Sequence, residues 1–303
     1  MDIVDSQVHL GPGGAAEMVA ALDALGIASA VIDEWWMGTP GLPYYGVGDG
    51  KNAQRTTSPT AELASWTYPG RFSYLVRVDP RDPELAAVIR LARDADHIRA
   101  LRVSPGMTRQ EMAEFSNGLY DDVFRLAAEN GLPVFTQVAG HADLLERMVT
   151  RYPDVRMIIC HCGMPPGGNL WPIIAQMEGQ LDSEDFWRAL SETPHDEAFD
   201  KVLSMSRHPQ IALKWAHAPV MFDAAGYPNL AARPFLRKAI DAFGAERVMW
   251  ASDISANQTG ESWAELIFAI ADNPDLSVEE RKWVLGRTAR TWLDWPAGQQ
   301  EPA

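Results

Sequence analysis

The sequence predicts an α/β protein, a closed (β/α)8 barrel (TIM barrel) with long βα loops after strands two, six and seven. Three observations predict it. Eight short, apolar, β-branched runs alternate with longer helical patterns along the chain. Several of the runs are apolar almost without a break, as strands buried on both faces are. The turn after the first run, Gly11-Pro12-Gly13-Gly14, is not the G-x-G-x-x-G of an open dinucleotide-binding sheet, and Pro12 removes an amide donor.

The strands are expected at Ile3 to Val8, Ala28 to Asp33, Phe72 to Val78, Ile98 to Val103, Pro133 to Val138, Val155 to His161, Ile211 to Ala216 and Val248 to Ser252. Helices are expected between them. Ala15 to Leu25 stops at Gly26 and Tyr120 to Asn130 at Gly131, where glycine accepts the left-handed conformation that ends a helix. Glu84 to Ala95 follows Pro83, Ala142 to Tyr152 ends before Pro153, and Arg233 to Phe243 ends at Gly244. Three connections are much longer than ordinary βα loops: Glu34 to about Leu63, Cys162 to about Ala198, and His217 to Arg233. All three follow strands, so all emerge at the face where barrel active sites are assembled. The first carries Trp35, Trp36, Tyr44 and Tyr45 among glycines. No repeat, low-complexity tract or linker divides the chain, so residues 1–303 read as one domain with a frayed tail over 297–303.

Composition narrows the function. At 303 residues the chain buries a large core without staples. A formal net charge of −15 disfavours nucleic acid and anionic membrane surfaces as partners. It leaves room for a small anionic substrate, because a local cluster of cations can dominate inside a pocket. The two cysteines, Cys160 and Cys162, flank His161 too closely for an unstrained disulfide. The first residues carry no signal-peptide pattern, and no segment approaches a membrane span. The expected location is therefore the reducing cytoplasm.

The ends of three expected strands carry chemistry. The first ends Gln7-Val8-His9, with Gln7 and His9 on one face. The sixth ends in His161 and the eighth in Ala251-Ser252-Asp253. His, His and Asp on one rim are ligands for a first-row divalent metal, and equally a set for activating water. Arg77, Arg102 and Lys214 lie near other strand ends and could bind a substrate carboxylate. Arg77 reads equally well as half of a salt bridge. His217 follows strand seven closely enough to reach the pocket. Asp33 and Glu34 end strand two, where an acid could serve as a second acid/base or bind an amine or hydroxyl. Trp35, beside them, could stack on a ring.

These residues fall into a known pattern. The chain resembles the amidohydrolase superfamily, and within it the amidohydrolase-related (amidohydrolase 2) family. Asp5-Ser6-Gln7-Val8-His9 is similar to that family's opening D-x-H-x-H, and His161-Cys162-Gly163-Met164-Pro165 to its H-x-G-x-P. Ala251-Ser252-Asp253 resembles its strand-eight G-S-D, and Leu285-Gly286-Arg287-Thr288-Ala289 its G-x-N-A helix. Gly131-Leu132-Pro133-Val134 and Leu213-Lys214 fall in order between them. The family includes lactonases, hydratases and non-oxidative decarboxylases acting on small carboxylated rings.

The resemblance implies Asp253, His161 and His9 as catalytic residues. Position at or near strand ends sets Arg102, Lys214, His217, Trp35 and Asp33 around the substrate, with Gln137 beside them, although an acid pair like Asp33-Glu34 is less usual for the family. Gln7 and Gln137 stand where the family usually has histidines, and amide oxygens are poor zinc ligands. Two mechanisms stay open. In one, no tight metal is needed: Asp253 takes a proton from water while His9 or His161 stabilises the oxyanion. In the other, a weakly held divalent ion, zinc or manganese, binds His9, His161 and Asp253, or His9 and Asp253 with one further residue. The expected activity is hydrolysis of a small cyclic ester or amide, a carboxylated lactone in particular. A metal-dependent decarboxylase or hydratase is the nearest alternative, and a catalytically reduced barrel acting as a binding or cyclising protein is a further one. The expected partners are a small anionic substrate and a second copy of the chain, since dimers are common in the family.

Overall fold

The structure, a computed structural model, describes residues 1–10, 13–34, 44–48, 53–56, 59–106, 108–165, 193–224, 226–254 and 261–296. Eight strands form one parallel sheet: β1 (Ile3–Val8), β2 (Ile27–Ile32), β5 (Phe72–Arg77), β6 (Ile98–Val103), β7 (Val134–Thr136), β8 (Met157–Ile159), β9 (Ile211–Trp215) and β10 (Val248–Trp250). A separate antiparallel hairpin, β3 (Tyr44–Val47) with β4 (Ala53–Thr56), interrupts the connection after β2.

The barrel closes between β1 and β10. Val8 bridges Ile254 in parallel. The His9 amide donates to the Ile254 carbonyl at 3.0 Å, and the Asp253 amide to the Gln7 carbonyl at 2.8 Å. Side chains complete the seam. Ser6 Oγ donates to the Trp250 carbonyl at 2.7 Å. The Asp5 carboxylate accepts the Ser252 amide at 2.9 Å, the Gln7 amide at 3.2 Å and Trp263 Nε1–H at 2.8 Å. Burial pushes the Asp5 carboxyl up to about 6 in spite of these donors.

Each stave gives the interior one apolar side chain: Val4, Val31, Leu75, Ala100, Phe135, Ile158, Ala212 and Met249. Trp292, Leu293 and Trp295 join the same cluster. The guanidiniums of Arg99 and Arg290 lie 5.6 and 4.9 Å from the Trp295 ring centre. The opposite faces of the strands pack on the helices in a second, larger core. No helix among the described residues is long and apolar enough to cross a membrane.

Helices Gly14–Leu25 and Asp121–Asn130 end at Gly26 and Gly131, with φ of 68° and 67°, as the turn chemistry predicts. Arg233–Phe243 also matches its expected span. Elsewhere the structure differs. The stretch expected as one helix over Ala142 to Tyr152 opens as a 3₁₀ turn, Ala142–Leu145, and becomes α-helical at Glu146–Arg151. Three residues per turn set Ala142 and Leu145 on one face, and both are fully buried. β8 and β10 stop short of their expected ends because the chain turns left-handed at His161, Cys162 and Asp253, with φ of 49°, 56° and 56°. The long connection after β2 contains the hairpin and a helix, Pro59–Thr67. The connection after β9 holds a short helix, Ala218–Met221, and a 3₁₀ turn, Leu230–Ala232. Residues 35–43, 166–192 and 297–303, which include Trp35, Trp36 and the expected tail, lie outside the described residues.

Near the C-terminus a π-turn, Trp283–Arg287, joins the helices Val278–Lys282 and Thr288–Trp292. A Cβ on Gly286 would stand 1.9 Å from the Asp2 carbonyl oxygen, just before β1. Gly286→Ala is expected to cost about 1–3 kcal/mol of stability, the usual range for overpacking. A urea denaturation midpoint equal to the wild type would show that the start of β1 yields freely.

Candidate active site

Side chains alternate along a strand, so the residue two beyond an interior apolar one enters the next layer up. Above Val31, Leu75, Ala100, Phe135, Ile158 and Ala212 that layer holds Asp33, Arg77, Arg102, Gln137, Cys160 and Lys214. Its members are buried, except Gln137, which is partly exposed. Arg77 grips Asp33 through two parallel bonds, Nε–Oδ1 and Nη2–Oδ2, both 2.8 Å. Burial alone would raise the Asp33 carboxyl, but Arg77 and then Arg102 hold it below its ordinary value. Arg102 Nη1 lies 3.9 Å from Asp33 Oδ2 and donates to Cys160 Sγ at 2.7 Å, while Nη2 donates to Gln137 Oε1. Its Nε has no hydrogen-bond partner among the described residues. Lys214 is 0% exposed, and its Nζ also has no hydrogen-bond partner among them. The Nζ sits 5.7 Å from the centre of the Phe135 ring. Burial pushes its pKa down, and Arg102 pushes the same way.

Over this layer stands Asp253, 1% exposed, and among the described residues four side chains are directed at its carboxylate. Gln7 Nε2 donates to Oδ1 at 2.6 Å, and His9 Nε2 lies 2.8 Å from the same oxygen. His161 Nε2 is 2.7 Å and His217 Nε2 3.1 Å from Oδ2. The second nitrogen of His217, Nδ1, meets Glu261 Oε2 at 2.5 Å. A carboxylate at each nitrogen means that both nitrogens carry protons, so His217 is an imidazolium. Burial works against that charge, but Asp253 and Glu261 outweigh it and raise His217 to about 10. His161 goes the other way. Burial, joined by Lys214, lowers it to about 3, so it is neutral near pH 7 with its proton on Nε2, facing Asp253. Burial would raise Asp253, yet His217 and His161 hold it well below the ordinary carboxylate range. Its backbone and that of His217, with φ of 56° and 52°, are left-handed.

His9, His161 and Asp253, expected from three strand ends, do converge, and Gln7 and His217 join them. Arg102, Gln137, Lys214 and Asp33 lie one layer below. There Gln137 faces Arg102, and Asp33 is bound by Arg77, so Arg77 is the salt-bridge partner that was one of its two expected readings. Glu261 and Cys160 belong to the arrangement and had no expected role. Glu261 arrives from beyond the last strand, where strand-end reasoning does not look. Cys160 follows the alternation from Ile158, a signal the sequence does carry.

The metal expectation meets a different geometry. Among the described residues, no group of three His, Cys, Asp or Glu side chains is placed to hold a metal ion. His9, His161 and Asp253 are close, but both imidazole Nε2 atoms are directed at the Asp253 oxygens, which also receive Gln7 and His217. Donor and acceptor face each other there, an arrangement that holds the carboxylate and does not present a set of lone pairs to a metal ion.

A parallel (β/α)8 barrel with a histidine-ringed carboxylate at the ends of its first, sixth, seventh and eighth staves defines the class. The amidohydrolase family model matches residues 45–295, and the chain belongs to that family. Solved structures share the fold. An amidohydrolase from Burkholderia multivorans with bound zinc superposes with a TM-score of 0.71 at 15% identity, covering 98% of this chain and 100% of that one. A putative 2-pyrone-4,6-dicarboxylic acid hydrolase from Pseudomonas putida gives 0.65 at 20% identity, covering 97% and 98%. A 5-carboxyvanillate decarboxylase from Sphingomonas paucimobilis gives 0.59 at 15% identity, covering 92% and 83%. No curated protein matches by sequence.

The two shifted histidines make stability depend on pH in opposite directions. His217 is raised from 6.5 to about 10, so its contribution is full below about 6.5 and is lost as pH rises towards 10. His161 is lowered to about 3. Between 6.5 and 3 the unfolded chain binds a proton that the folded one refuses, so stability falls as pH falls. Denaturation midpoints across pH should decline on both sides, and His217→Gln should flatten the alkaline side only. An unchanged alkaline decline in that variant would remove His217 as its source.

Proposed function

We propose that the protein is a hydrolase that opens a small cyclic ester or amide, a carboxylated lactone in particular, with water activated at Asp253. The observation that carries this reading is the carboxylate ringed by Gln7, His9, His161 and His217 at the mouth of the barrel. The same site in a family of this fold supports an enzyme. At rest the carboxylate is held as an anion by more donors than a base needs. A water entering beside it replaces one of them, and each donor withdrawn raises the basicity of Asp253. Asp253 then takes the water proton as the oxygen adds to the ring carbonyl. The His217 imidazolium supplies positive charge beside the developing oxyanion, and Glu261 keeps that charge in place. The proton on Asp253 returns to the ring oxygen or nitrogen as it leaves. Arg102, with its Nε unpartnered in the layer below, is the group for a substrate carboxylate.

The name of the Pseudomonas neighbour supplies the assay compound, 2-pyrone-4,6-dicarboxylate. Ring opening without release of carbon dioxide is the expected result. Carbon dioxide released with no water added would assign the protein to the decarboxylases instead. Inertness towards a panel of carboxylated lactones would leave a binding protein.

Asp253→Asn should lower kcat by roughly 10²–10⁴-fold, the range for loss of a general base, with the far-UV circular dichroism unchanged. A near-normal rate in that variant would remove Asp253 as the base. Full activity in chelator-treated protein, shown free of metal by elemental analysis, is also expected. Activity restored only by zinc or manganese would overturn the water-activation scheme.

A further inference from the structure

Lys214 is the group that the hydrolytic scheme does not use. It projects from the middle of β9 into the barrel, two residues above the interior Ala212. A lysine is rarely buried unless paired. Here the side chain is 0% exposed, and the Nζ has no hydrogen-bond partner among the described residues. No carboxylate among the described residues lies within ion-pair distance. Asp33 is bound by Arg77, and Asp253 by the four side chains around it. Charged groups farther off pull in both directions: Cys160, Asp253 and Asp33 favour the ammonium, and Arg102, in the same layer, opposes it. An aromatic face, Phe135, covers one side. An ammonium in such a place is shut off from solvent and has no described carboxylate within ion-pair distance, and burial favours the neutral amine over the more distant pull of Asp253 and Asp33. A neutral amine with a free lone pair, desolvated and beside a fixed cation, is a nucleophile for carbonyl carbon.

We propose that Lys214 is a second reactive centre of the barrel, forming an imine with the carbonyl of a 2-oxo acid whose carboxylate is held at Arg102. The Nζ lone pair forms the C–N bond as the carbonyl π pair moves onto oxygen. The two amine protons and that oxygen leave together as one water, and the C=N bond remains. Nothing is oxidised or reduced. The imine draws electrons from the adjacent C–C bond, which makes that bond open to proton loss or cleavage, an activity separate from ester hydrolysis. The proposal does not depend on Asp253 chemistry, so it can fail or hold independently of the hydrolytic reading.

The test is reductive trapping. The folded protein is incubated with pyruvate and sodium cyanoborohydride near neutral pH, and the adduct is mapped by peptide mass spectrometry. The chain has five lysines, so assignment is direct. The expected result is one reduced pyruvate on Lys214, formed well ahead of any adduct on Lys201, Lys238 or Lys282. Lys214→Met should abolish that adduct. Arg102→Met should slow its formation at least tenfold, while a neutral aldehyde probe, propanal, should lose less. Mapping of the wild type decides the matter even if a variant fails to fold. Labelling confined to the other lysines, or absent, overturns the proposal. Equal capture of pyruvate with and without Arg102 overturns the assignment to 2-oxo acids.

Discussion

Closure of the cylinder between its first and last staves is the constraint on which the site depends. The same few residues that join β1 to β10 carry the chemistry. The amide of Asp253 bonds the carbonyl of Gln7, and the side chain of Gln7 bonds the carboxylate of Asp253. The backbone of His9 is pinned to Ile254, and its ring is directed at Asp253. Asp5 ties β1 to the end of β10 through the Ser252 amide, and to the following helix through Trp263, where the ladder alone is sparse. Residues nearly the length of the chain apart are therefore brought to hydrogen-bond distance by the barrel, and the chemistry at its mouth is as rigid as the seam.

The interior is organised in layers of rising polarity. A lower tier of one apolar side chain per stave supports a tier that is almost wholly polar, and the carboxylate stands above both. Burying such a tier is tolerable because its charges answer one another. Arg77 is matched bidentately by Asp33, and Arg102 spreads its donors over Cys160 and Gln137. The exception is Lys214. The acidic surface of the molecule says nothing of this interior, where cations are concentrated.

Much of this was legible in the chain itself. Strands buried on both faces are nearly continuous in apolar residues, so a run such as Val248 to Ala251 stands out from any amphipathic helix. Residues at strand ends are collected by barrel geometry, which is why His9, His161 and Asp253 could be placed on one rim before any coordinates, with His217 within reach of it. What escaped depends on contacts that local pattern does not encode. Glu261 reaches His217 from a segment with no strand to mark it. The pairing of Arg102 with Gln137, or of Arg77 with Asp33, is a choice between several partners that only the register of neighbouring staves settles. The hairpin of β3 and β4 has strands of four residues each, too short for alternation to speak in a glycine-rich stretch.

Four non-glycine residues at the barrel mouth, His161, Cys162, His217 and Asp253, hold a backbone conformation that glycine adopts without penalty. Each is kept there by surrounding bonds at some expense to the folded state. The scaffold thus spends part of its resistance to unfolding on aiming these side chains. A sequence optimised purely for endurance would drift towards glycine or asparagine at these positions, and the molecule would grow hardier as it grew inert.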